Sequence, residues 1–86
     1  HKPLITMTPK FYLVSVLLVH SDYETTDKHL LFTDFQKALK AKEAEIEEYS
    51  LYLSEGYVYE DTQTFFQMMD NDGYSLTIVV EEIQPQ

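Results

Sequence analysis

An α+β domain, an antiparallel sheet of three or four strands with one long helix packed on one face, is the fold this sequence predicts. Three observations carry that expectation. A ten-residue β-branched and aromatic run spans Phe11–His20, one helical stripe follows it, and two further strand-like segments after the stripe are joined by Asp70-Asn71-Asp72-Gly73. The 86 residues contain 44% hydrophobic and 24% charged positions, which is ordinary globular composition, and they suffice for one domain only.

Residues 1–9 are expected to form an N-terminal extension, part tag or part processed precursor, with Met7 available as a start and residues 10–86 as the single domain. Pro3 and Pro9 interrupt any helix there and restrict the segment to a sheet edge. A helix of the length of Phe11 to His20 is conceivable, but the Val and aromatic enrichment and the turn signals that follow favour a strand. Its two alternating faces are both apolar, Phe11, Leu13, Ser15, Leu17 and Val19 on one, Tyr12, Val14, Val16 and Leu18 on the other. A polar turn over residues 21–27 precedes a short returning strand, Lys28 to Phe32.

Thr33 is the expected helix cap, with Gln36 reaching back to it and Asp34 in the first turn at the positive end of the dipole. Phe35, Leu39, Ile46, Tyr49 and Leu53, with Ala38 and Tyr52, then recur at helical spacing, so a helix is expected over residues 34–54, ended by Gly56 in a left-handed cap. Such a helix spans about 30 Å, enough to lie along the whole first strand. Tyr57 to Met68 reads as one long strand, and Tyr74 to Ile83 as the last, before Pro85. Pairing of residues 11–20 with 74–83 is the farthest-reaching contact expected.

The six Lys and fifteen acids give a net charge of −9 and are unevenly placed. Through residue 42 the chain carries all six Lys and four acids; from residue 43 onward it carries eleven acids and no base. The divide falls inside the helix, Lys37, Lys40 and Lys42 preceding Glu43, Glu45, Glu47 and Glu48, which opposes the macrodipole and the favoured Glu-before-Lys order. A solvated face tolerates that order if packing fixes the helix.

With no Arg, direct nucleic-acid binding is not expected. Spaced carboxylates can instead occupy a basic groove as phosphates do, and Glu43, Glu47, Glu48, Glu55, Glu60, Asp61, Glu81 and Glu82 are the candidates for such an array. The chain is then an inhibitor or regulator of a nucleic-acid-binding protein.

Catalytic signatures are weak. None of Ser15, Ser21, Ser50, Ser54 and Ser75 sits in a nucleophile elbow, and the two glycines lie too far apart for a phosphate loop. An EF-hand reading that places Gly73 sixth puts Met68 first and Val79 twelfth, where carboxylates are required. His20 and His29 flank the first turn and can face each other across it with Asp22 or Asp27, a metal reading that competes with two ordinary surface histidines. No enzyme activity, cofactor, metal, membrane association or small-molecule substrate is expected, and a cytoplasmic setting is the default.

Seven Tyr and five Phe are the remaining excess. One helix covers one sheet face, whereas the first strand is apolar on both, so a second cover is needed. The reading is therefore a non-enzymatic interaction or assembly module that self-associates as a dimer or takes another protein partner, the alternative being that the residues before Pro9 fold over the second face. Tyr12, Val14, Val16 and Leu18, with Tyr57 and Tyr59 and the acids Glu43, Glu47, Glu48, Glu60 and Asp61, are the expected interaction residues.

Overall fold

The longest-range pairing in the chain forms the middle of the sheet. In the computed structural model, which describes residues 10–53 and 56–84, strand β1 (Phe11–Val19) lies antiparallel to β5 (Ser75–Ile83), with Val14 opposite Val80, Val16 opposite Ile78 and Leu18 opposite Leu76. β2 (Thr25–Phe32) flanks β1, while β4 (Phe65–Met69) and then β3 (Tyr57–Asp61) flank β5. The result is a five-stranded antiparallel sheet in the order β2-β1-β5-β4-β3, with one helix, α1 (Phe35–Tyr49), on one face.

Alternation along the strands decides which residues face α1. The even-numbered positions of β1, β4 and β5 pack beneath it: Val14, Val16, Leu18, Phe66, Leu76, Ile78 and Val80 form the buried core with Ala38 and Leu53. Burying each large aliphatic side chain contributes about 1.5 to 3 kcal/mol, so these facing rows are the main source of stability. The helix runs parallel to β1, with Phe35 against Tyr12 at its start (ring centroids 5.2 Å apart) and Tyr49 near Lys28 at its end.

The helix departs from expectation at both ends. Asp34, not Thr33, is the cap: its carboxylate accepts from the amides of Gln36 (2.8 Å) and Lys37 (3.3 Å), while its own backbone is extended. An ionised acceptor at the positive end of the dipole serves two free N–H groups at once. At the other end α1 stops at Tyr49, and one 3-10 turn, Ser50–Tyr52, leads to the buried Leu53. The helix is thus about 22 Å long.

Gly56 therefore lies beyond the helix end. It is needed for closeness, since a Cβ there meets Met68 Cε at 2.8 Å and Leu53 Cβ at 2.9 Å. Ser54 and Glu55 lie outside the described residues.

The expected long strand from Tyr57 to Met68 is two strands, which raises the count to five. Thr62 turns the chain by donating its amide to the Phe65 carbonyl (2.7 Å) and accepting the Phe65 amide on its hydroxyl (3.1 Å). Thr is a strand former by propensity, but its hydroxyl also satisfies the backbone of a tight turn. The turn at residues 70–73 forms as expected: Asp70 accepts from the amides of Asp72 and Tyr74, and Gly73 takes φ +96°. The first hairpin is tighter than expected, with β2 starting at Thr25 and the exposed Tyr23 at φ +71°.

The reversed charge order of the helix has a tertiary explanation. Lys42 and Glu45, read as part of a solvated face, are buried. Lys42 Nζ donates to the Thr62 carbonyl at 2.9 Å and lies 3.8 Å from Asp61, fastening α1 to the β3–β4 turn. Glu45 accepts from Lys28 Nζ on both oxygens at 3.0 Å, fastening α1 to β2. This bond to Glu45 is the largest influence holding the Lys28 ammonium above its ordinary value of 10.5, against the opposing effect of desolvation. Both charges pair across the fold, and Lys42 also lies 3.6 Å from its helix neighbour Glu43.

Candidate functional site

The odd-numbered positions of β1, β4 and β5 form the face of the sheet that α1 leaves bare. Across the sheet, register aligns Leu31 with Leu13; His29 with Ser15, Val79 and Phe65; and Asp27 with Leu17, Thr77 and Gln67. Thr25, Val19, Ser75, Met69 and Tyr57 make the next row, and Phe11 and Ile83 pair at the far end. No described element packs onto this face. Leu17 is 38% exposed at its centre and Leu31 60% at its edge, while Phe11, Leu13, Val19, Phe65 and Val79 are half-buried.

The polar members of the face partner one another. His29 Nδ1 meets Ser15 Oγ at 3.2 Å and its Nε2 lies 3.6 Å from Asp27, while Gln67 donates to Thr77 Oγ1 at 3.3 Å. Their hydrogen bonds run sideways across strands, which leaves the apolar side chains as what the face offers outward.

Both sheet edges are poor templates for strand addition. β2 carries Asp27, Lys28 and His29, and β3 is bulged between Val58 and Glu60 and ends on Glu60 and Asp61. Charges and a bulge discourage pairing with another edge. The broad face is an accessible apolar feature.

The expected interaction residues divide. Val14, Val16 and Leu18 are at most 1% exposed and Tyr12 is half-buried against Phe35, so this set faces the helix and cannot form the free surface. The alternation was legible but not its sign; Phe11, Leu13, Leu17 and Val19, the other apolar face of the same strand, take that place. Tyr57 and Tyr59 lie at the rim on β3, their rings 6.3 Å apart and both exposed.

The acidic candidates do not share a surface. Glu43, Glu47 and Glu48 project from α1 on the opposite side of the sheet, and Asp61 pairs in register with Phe66 on the helix side, near Lys42. Glu60 and Glu81 lie on the free face, opposite Gln67 and Leu13, whereas Glu82 is on the helix face opposite Tyr12. Glu55 lies outside the described residues.

His20 and His29 occupy opposite faces. His20 Nε2 meets Thr26 Oγ1 at 2.9 Å and its ring packs edge-on to Tyr52 and Tyr74 on the helix side, away from the His29–Ser15 contact. Among the described residues no three His, Asp or Glu side chains converge as a metal site, and no buried side-chain nitrogen or oxygen lacks a partner. No described helix is long and apolar enough to cross a membrane. Compared with known proteins, the chain matches no family model, no curated protein and no solved structure.

Proposed function

We propose that this chain is a non-enzymatic interaction module that self-associates by packing the helix-free face of its sheet against the same face of a second copy. The observation that carries the reading is the row of Phe11, Leu13, Leu17, Val19, Val79 and Phe65, onto which no element of the described residues packs. A solvated antiparallel face ordinarily alternates to polar side chains, and this one is apolar at most positions of its two central strands.

Size supports the reading. Strands of nine, eight, five, five and nine residues give a footprint of about 570 Å² at 3.3 Å per residue and 4.8 Å per strand. Two copies bring about 1,150 Å² together before side-chain relief is counted, at the lower end of stable interfaces. The rim tyrosines Tyr57 and Tyr59 add area with little side-chain entropy to lose. The alternative, an acidic inhibitor that mimics nucleic acid, has less support because its carboxylates are spread over both sides of the sheet.

Light scattering over a tenfold concentration range, at low and high salt, tests this. The expected result is a salt-resistant dimer that Leu17→Lys weakens at least about a hundredfold with unchanged circular dichroism, because a two-fold interface buries the introduced charge twice. A monomer throughout, or a dimer indifferent to Leu17→Lys, overturns it.

A further inference from the structure

On the opposite side of the sheet, the helix-facing side chains continue past the first turn of α1. Tyr12 and Glu82 are directly opposite each other on β1 and β5, and the Val80 amide bonds the Thr64 carbonyl at 2.8 Å. Together with Phe35 they line an open groove of about 310 Å³. Its walls are the Tyr12 and Phe35 rings, inclined at 54°, with the buried Val80 of β5 beside them. Among the described residues Glu82 supplies the only acidic group in its lining, and that side chain is 46% exposed.

We propose that this groove binds a lysine side chain presented by a basic segment of a partner protein. A lysine needs an apolar bed for its four-carbon stem and an acceptor for its ammonium group, and the two rings and Val80 provide the first while Glu82 provides the second. The volume is at the small end for ligand sites, enough for one side chain rather than a cofactor. Charge complementarity selects a cation: the chain carries −9 overall, and every ionisable acid or base after residue 42 is an acid.

The chain itself already brings a cation to this carboxylate. Lys10 Nζ lies 3.9 Å from Glu82 Oε2 with its side chain 54% exposed, an ion pair loose and solvated enough for another ammonium to displace. Lys10 is thereby a competitor, and Lys10 and Glu82 variants must shift affinity in opposite directions. This groove and the self-association face lie on different sides of the sheet, so each proposal stands without the other.

The test is an amide NMR titration of the full chain with N-acetyl-lysine N-methylamide and its uncharged counterpart N-acetyl-norleucine N-methylamide. The lysine probe is expected to shift Tyr12, Phe35 and Val80 at millimolar concentration and to bind more tightly than norleucine. Glu82→Gln weakens it by up to about fivefold, the range of an exposed ion pair; Lys10→Ala strengthens it; and Glu47→Gln, about 18 Å further along the helix from Phe35, leaves it unchanged. Equal binding of the two probes, an unaltered Glu82→Gln variant, an equal loss in Glu47→Gln, or no groove shifts at about 20 mM probe overturns the proposal.

Discussion

Replacing Glu45 by Gln tests whether the helix is fastened to the sheet by charge. Glu45 accepts from Lys28 Nζ on both carboxylate oxygens at 3.0 Å, and its side chain is 9% exposed against 34% for Lys28. A hydrogen bond to a charged group contributes about 1.5 to 3 kcal/mol when enclosed. The Lys28 end is a third open to water and resolvates when its partner is lost, and the amide oxygen of Gln still accepts one bond, so the expected cost is about 1 kcal/mol.

The reciprocal change, Lys28→Met, leaves the enclosed carboxylate without its cation and should cost more, about 2 to 3 kcal/mol. Combining Lys28→Met with Glu45→Met should recover much of that loss, because two apolar side chains of suitable length then fill the same space. Urea unfolding followed by circular dichroism measures all four proteins, with an unchanged m-value as the check that compactness is preserved.

The pH dependence follows from the raised Lys28 value. A cation held above its unfolded pKa contributes fully below about 10.5, and that contribution is lost as pH rises through the folded value. The gap between wild type and Glu45→Gln should therefore be constant at neutral pH and close above about 10.5. Single variants within about 0.3 kcal/mol of wild type, or Glu45→Gln costing more than Lys28→Met, refute the burial argument.

Five other substitutions read local geometry by thermal or urea unfolding. Asp34→Ala should cost about 1 kcal/mol and Thr33→Ala much less, because only the Asp34 carboxylate holds the first-turn amides; equal losses contradict the assignment of the cap. Gly73→Ala should cost about 1 to 2 kcal/mol through its left-handed backbone alone, since the added Cβ meets nothing closer than Ser21 Cα at 3.5 Å. Conversely, Tyr23→Gly should stabilise by up to about 1 kcal/mol, because Tyr23 has φ +71° and an 87% exposed side chain. Gly56→Ala should cost about 1 to 3 kcal/mol for a packing reason, as Leu53 Cβ at 2.9 Å cannot withdraw as freely as the Met68 terminus; if Gly56→Ala is neutral, the close approach is not a constraint.

Local signals were read correctly where a residue acts through its own backbone. Gly73 with Asp70 defines a turn in whatever protein surrounds it, and the β-branched run of β1 has no other period to satisfy. Reading failed where one residue has two local uses. Thr62 is a strand former by propensity, yet its hydroxyl closes the β3–β4 turn, and the choice is made by β4 having β5 to pair with. Asp34 and Thr33 are both good caps, and a shift of one residue lies below what a single sequence resolves.

Lys42 and Glu45 mark the boundary most clearly. A charged residue on a helix is solvated by default, and nothing within residues 35–49 reveals that Lys28 and the Thr62 carbonyl wait beneath it. The same holds for β1: its sequence shows two apolar faces but not which of them α1 covers. The sequence alone determined the α+β class, the existence of β1, β5 and the helix, and that β1 is apolar on both faces, because these follow from periodicity and composition. Only the tertiary structure decided the side of β1 that α1 covers, the splitting of the third segment into β3 and β4, and the meeting of Tyr12, Phe35 and Glu82 in one groove. Those outcomes depend on register between segments distant in the chain, and register is set by the joint burial of all the strands at once.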